Sequence, residues 1–280
     1  MSDLLLVLVI MGAATLIGVA VAWSSWLRPL GIVVEGWRQT ANLLRRRSPL
    51  PLYVFGFLGA QRLAPLLIAS RPAAAPWVAV VLLVLIKALV VYALAHVAYR
   101  LHRGLIYGEW DRGLTWGERE RRMALYVLFA WTIATIVGNL PIPAPPSVPQ
   151  LLVTPFALGL AIATFVLKTF LALTGPAASL DDPAPLRQSV KSIFREPVGI
   201  FCLVASIALM MEILKQVFGL ALRASSAVTL LHGAVVGLSL LAEALVFIVA
   251  EFALVIALTR TWEDVYEPET RSAAHNLNWL

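Results

Sequence analysis

The sequence predicts an all-α fold: a polytopic transmembrane helical bundle of about seven spans, with cytoplasmic amphipathic interfacial helices and a parallel internal repeat. Three observations carry this expectation. First, 60% of the 280 residues are hydrophobic and only 14% charged, with a mean hydropathy of +0.84. A soluble domain is about 45–50% apolar and about 25% charged. Second, apolar runs recur at the length of roughly 20 residues that a bilayer core demands of a helix. Third, the basic residues fall on alternate connecting segments. The composition excludes a soluble enzyme, a disordered chain and a nucleic-acid-binding domain built around a basic patch.

Seven apolar runs satisfy the length requirement. They are 4–23, 50–70, 76–99, 124–140, 151–173, 198–221 and about 228–259. The second holds Gln61 and Arg62 at its middle, and the seventh is longer than a bilayer needs, which implies tilt or an end outside the membrane. Segments 24–49, 100–123, 174–197 and the tail together carry sixteen of the 22 basic residues, whereas the opposite side has only Arg71 and Arg223. This bias places the Arg-rich segments in the cytoplasm and the N-terminus outside. It also requires an odd number of spans. Tryptophans at 23, 26, 37, 77, 110, 116 and 262 sit beside the expected span ends, as an interfacial belt requires. The abundance of Arg and Ala over Lys points to a GC-rich bacterial genome, hence to a bacterial inner (cytoplasmic) membrane. The single cysteine, Cys202, rules out an intrachain disulfide.

Two stretches on the Arg-rich side read as amphipathic helices. In 30–46, Leu30, Val33, Val34, Trp37, Ala41 and Leu44 form a helical stripe opposite Glu35, Arg38, Asn42 and Arg45. In 183–196, Leu186, Val190, Ile193 and Phe194 oppose Arg187, Lys191 and Arg195. Each runs into a proline, Pro49 or Pro197, and then a span. Arg38-Gln39-Thr40 aligns with Arg187-Gln188-Ser189, and Ala98-Tyr99-Arg100 with the residues ending at Arg260. The implied organisation is an extra N-terminal helix (1–27), a membrane domain (28–267) with repeat halves at about 30–108 and 183–267 joined by linking spans 124–173, and a cytoplasmic tail (268–280). Repeats of this kind occur in transporters, with sites between the halves.

The segment from His102-Arg103 to Gly108-Glu109, followed by Gly117-Glu118-Arg119-Glu120-Arg121-Arg122, resembles a pattern in uncharacterised polytopic membrane proteins of proteobacteria. The stretch from Leu171 to Ala178, with Pro185-Leu186-Arg187-Gln188-Ser189, is similar to the same proteins and to the membrane domain of membrane-anchored glycerophosphodiester phosphodiesterases. Leu101 departs from that pattern, where those proteins carry Trp, and Thr174-Gly175 interrupts their Leu-Pro-Ala. The resemblance implies a membrane domain and no established activity; nothing corresponds to the phosphodiesterase catalytic domain.

Ionisable residues inside spans are the first candidates for function. They are Arg62, Lys87, Lys168, Glu212, Lys215, Glu243 and Glu251. Glu212 and Lys215 share a helix face, as do Glu243 and Glu251, and Arg62 and Lys87 are the expected partners of the latter two. His102, Arg103, Gly108 and Glu109 form a cytoplasmic motif that suits a turn or a docking corner. Ala14, Gly18 and Ala22, at four-residue spacing, give the first span a close-packing face for its own bundle or a partner protein. The Arg45–Arg47 and Arg119–Arg122 clusters suit anionic lipid headgroups. Thr115 and Glu118 form a capping box. The histidines are scattered and there is one cysteine, so no catalytic, cofactor or metal constellation is expected. The expected function is therefore a non-enzymatic accessory or scaffolding subunit of a larger membrane complex, bound to lipid and not to nucleic acid. The rival is a transporter or lipid handler using Arg62, Lys87, Glu243 and Glu251.

Overall fold

A computed structural model describes residues 28–69, 76–110, 117–138, 150–225 and 228–262. These residues form helices only. They are α1 (Pro29–Arg45), α2 (Leu50–Ala69), α3 (Pro76–Tyr107), α4 (Glu118–Gly138), α5 (Gln150–Ala172), α6 (Thr174–Ser179), α7 (Pro185–Arg195), α8 (Pro197–Ala224) and α9 (Thr229–Thr261). The expected first span with Ala14, Gly18 and Ala22, the tail from 268, and Thr115 of the capping box lie outside the described residues.

Among the described residues, four helical stretches are long and apolar enough to cross a membrane: Val78–Tyr107, Ile162–Ser179, Pro197–Ala224 and Thr229–Thr261. Each overlaps an expected span, and Val78–Tyr107 and Ile162–Ser179 run beyond the expected ends at 99 and 173. The helix at the fourth expected span is apolar only in its later part. In α4, the first five of its 21 residues are charged.

Proline sets several helix starts. Pro29, Pro185 and Pro197 stand in the first turns of α1, α7 and α8, where a missing N–H costs nothing and the fixed φ suits a helix. The order of short helix, proline and two long helices occurs in α1–α3 and again in α7–α9. The packing differs between them: α1 lies mainly on α9 and α8, whereas α7 lies mainly on α6, α5 and α8. The likeness of the two halves extends to element order and stops at their surroundings.

The amphipathic stripe of α1 faces away from the bundle. Val34 is 67% exposed and Leu30, Trp37 and Leu44 are also exposed, while Ile32, Glu35, Gly36, Thr40 and Leu43 are buried. Glu35 therefore packs inward rather than toward solvent, held by Gln39 Nε2 at 2.6 Å. Gly36 makes the inward contact possible, because a Cβ there would lie 2.8 Å from the carbonyl oxygen of Val249 on α9. On α7 the expected apolar stripe divides: Val190 and Phe194 are exposed, whereas Ile193 is buried with Gln188, Ser189 and Ser192, because the small polar residues beside it also pack inward.

The core lies toward one end of the bundle. On α3, Val80, Val81, Leu82, Val84, Leu85 and Leu89 are exposed, while nearly every residue from Val90 to Ile106 is buried. The buried residues of α8 are Gly199, Ile200 and Leu203, and those of α9 begin at Ser239 and crowd toward Thr261. This well-packed end is also the Arg-rich one. Arg46 lies 5.5 Å from the Trp110 ring, Arg122 Nη2 donates to Pro183 O at 3.1 Å, and Arg195 lies 4.8 Å from the Trp262 ring.

Candidate functional site

The C-terminal turns of α3 carry the densest polar cluster among the described residues. Gly108 ends α3 with φ +71°, a left-handed conformation that glycine adopts without steric cost. The reversal folds the next two residues back onto the helix. Glu109 then accepts two hydrogen bonds from Arg103, Nε to Oε2 and Nη2 to Oε1, each 3.0 Å. Trp110 lies over Gly104, where no side chain stands in the way, and meets Phe252 of α9 edge-on at 6.2 Å. The expected motif is thus a turn locked by a bidentate pair, which positions both charged groups more firmly than a single bond would.

The Arg103 guanidinium is gripped on its other sides as well. It lies 4.4 Å from the Tyr107 ring and 5.7 Å from the Tyr99 ring, which flank it one turn away on each side. Its Nη1 donates to Asp181 Oδ2 at 3.2 Å, and Arg119 Nη1 donates to the same oxygen at 2.9 Å. Asp181 holds φ +60°, a conformation that aspartate tolerates better than most residues. One carboxylate in the α6–α7 connection therefore bridges α3 and α4. Beneath it, Arg100 Nη2 donates to Glu120 Oε1 at 2.9 Å, with side chains only 4% and 10% exposed.

His102 is fully buried and joins three helices. Its Nδ1 lies 3.0 Å from Ser179 Oγ on α6, and its Nε2 lies 3.0 Å from Glu251 Oε2 on α9. Ser179 already donates its hydroxyl hydrogen to Pro176 O at 2.6 Å. Its Oγ must then accept, so Nδ1 carries the hydrogen. Nε2 faces the Glu251 carboxyl at hydrogen-bond distance. The arrangement contains the groups of a Ser-His-acid triad but not its chemistry. A nucleophilic serine must give its proton to the imidazole, whereas Ser179 gives it to a carbonyl and is fully buried.

The remaining expected residues separate. Arg62 of α2 pairs with Glu243 of α9, one of the two expected partners. Glu251 goes to His102 rather than to Lys87, which is exposed on α3 without an ion pair among the described residues. Glu212 and Lys215 face each other at 3.7 Å on the exposed side of α8, with Gln216 donating to Glu212 at 2.8 Å. Among the described residues, no group of three or more His, Cys, Asp or Glu side chains is placed to hold a metal ion.

Sequence reasoning did not reach Arg100, Glu120, Ser179 or Asp181 as partners in this cluster. Their pairings span between 20 and 78 positions. The one local signal was Glu120 beside Arg119 and Arg121, an acidic residue inside a basic run.

The fold and this cluster define an all-helical protein with several helices apolar enough to span a bilayer, which suggests a membrane protein. No family model matches the chain, and no curated protein or solved structure is significantly similar to it.

Proposed function

We propose that the protein is a non-enzymatic accessory or scaffolding subunit that packs against a larger membrane protein in a bacterial inner membrane. The observation that carries this reading is that the candidate carboxylates each hold a basic partner, while Lys87 stands exposed. Glu243 holds Arg62, Glu251 holds His102, Glu109 and Asp181 hold Arg103, and Glu120 holds Arg100. Charges that neutralise each other inside a bundle tie helices together and leave little to bind a substrate. In this reading seven helices cross the membrane, the N-terminus is periplasmic and the C-terminus cytoplasmic. The outward apolar stripes of α1 and α7 lie in the cytoplasmic leaflet, beside their arginines. The exposed apolar faces of α3 and α9, at Val84 and Leu238, face lipid or the partner.

The test is isolation from the native membrane in mild detergent by a C-terminal tag, with a photo-crosslinker at Val84 or Leu238. The expected result is one stoichiometric membrane partner, crosslinked from a defined face. A lone protein whose ion or lipid flux in vesicles falls on Glu243→Gln would overturn the proposal in favour of transport.

A further inference from the structure

A groove of about 920 Å³ lies outside the polar cluster, between the first turns of α4 and the start of α7. It is lined by Glu118, Arg121 and Arg122 in the first turns of α4, by Leu125, Tyr126 and Phe129 further along the same helix, and by Leu186 of α7. Helical spacing puts 118, 121, 122, 125 and 129 on one face. Glu120 and Met123 turn the other way and are buried at 7% and 1% exposure. Leu125 and Phe129 are 59% and 52% exposed, an apolar floor uncovered among the described residues.

The arginines of α4 are used unequally. Arg119 is paired with Asp181. Arg121 and Arg122 form no ion pair among the described residues. Arg121 Nε reaches only the Gly117 carbonyl at 3.4 Å. Arg122 gives one N–H to Pro183 O at 3.1 Å and lies 5.9 Å from the Tyr126 ring. Each guanidinium has five N–H donors, so most remain available to an acceptor with several oxygens. Against the single carboxylate of Glu118, the lining from these first turns keeps a net positive charge. It stands at the head of a helix whose next residues are apolar, so the groove runs from a charged mouth to an oily floor.

We infer that this groove binds an anionic phospholipid, its phosphate held by Arg121 and Arg122 and an acyl chain lying along Leu125 and Phe129. Basic pockets between helices at a membrane face are suited to such headgroups. The inference rests on the reading of this chain as a membrane protein, and not on its having a partner.

The experiment uses the full chain in phosphatidylcholine nanodiscs containing a minor fraction of phosphatidylglycerol. Native mass spectrometry reads the retained lipid. In a Phe129→Trp variant, fluorescence quenching by phosphatidylglycerol brominated on its acyl chains reads occupancy of the floor. The expected result is selective retention of phosphatidylglycerol, weakened about fivefold by Arg121→Gln and about thirtyfold by Arg121→Gln with Arg122→Gln. Glu118→Gln is expected to strengthen retention, a gain that misfolding cannot mimic. The charge-matched pair Lys87→Gln with Lys168→Gln, on exposed positions outside the groove, is expected to leave it unchanged. Equal loss in that control pair, or no preference for the anionic lipid, overturns the inference. Displacement of the lipid by inorganic phosphate without any quenching at position 129 would overturn the acyl-chain part and leave a phosphate site. Failure of the chain to float with vesicles would instead overturn the membrane reading beneath it.

Discussion

Replacing Glu251 tests the hydrogen-bond chain through His102. His102 is fully buried, with Nδ1 committed to Ser179 and Nε2 facing Glu251 at 3.0 Å. Glu251→Ala leaves Nε2 without its partner in the packed interior. An orphaned buried polar atom costs about 1–3 kcal/mol, so the variant should lose that much stability. Glu251→Gln should lose less than about 1 kcal/mol, because the amide N–H can donate to Nε2 of a neutral imidazole. Ser179→Ala removes the acceptor of the Nδ1 hydrogen and should cost about as much as Glu251→Ala. The assay is equilibrium unfolding in bicelles by titration with a denaturing detergent, followed by tryptophan fluorescence. Equal losses for the Ala and Gln variants, or a loss below about 0.5 kcal/mol for Glu251→Ala, would refute the assigned chain of donors and acceptors.

Three further outcomes follow from the packing. Glu120→Ala should cost about 3–5 kcal/mol, because Arg100 stays buried without its carboxylate; Arg100→Met with Glu120→Met should recover most of it in the same unfolding assay. Gly36→Ala should cost about 1–3 kcal/mol by pressing a methyl group on the Val249 carbonyl, and Gly36→Leu should detach α1 from α9, read as faster proteolysis within residues 29–45. Reversal of either charge in the Arg62–Glu243 pair should lower stability by about 3 kcal/mol. The double exchange Arg62→Glu with Glu243→Arg should recover at least half of that, and additive losses would count against the pairing.

The parts of the fold legible in sequence were those fixed by local period and composition. The four stretches able to cross a membrane overlap apolar runs, and the starts of α1, α7 and α8 coincide with prolines. The division of α1 into two sides was also legible, since helical spacing alone puts Leu30, Val34, Trp37 and Leu44 along one of them. The inward side was not legible. A reading by polarity sends Glu35 to water, whereas tertiary packing buries it beside Gln39 and Gly36. The pairing of Arg62 with Glu243 followed from the scarcity of intramembrane charges. The partner of Glu251 did not, because His102 lies 149 positions away and looked like a loop residue. Its burial depends on α3 running on to Tyr107, some eight residues beyond the expected span end at Tyr99. Gly104 gave no signal of its own until the turn at Gly108 brought Trp110 over it.

The uneven packing along α3 has a mechanical consequence. The helix is densely packed from Val90 to Ile106 and only thinly packed from Val80 to Leu89, where Ile86 still touches the core. At 1.5 Å per residue, the stretch from Pro76 to Leu89 is a lever arm of about 20 Å, and rocking by about 10° swings its tip by about 3–4 Å. The fulcrum lies at the first densely packed turn, at Val90, and the gripped stretch beyond it leads to the junction of α3, α6 and α9 at His102. A force applied at the far end, by a neighbouring helix or by a change in bilayer thickness, is delivered as torque to that junction. The same leverage runs in reverse, so a small tilt of the gripped stretch reaches the Pro76 end of α3 enlarged.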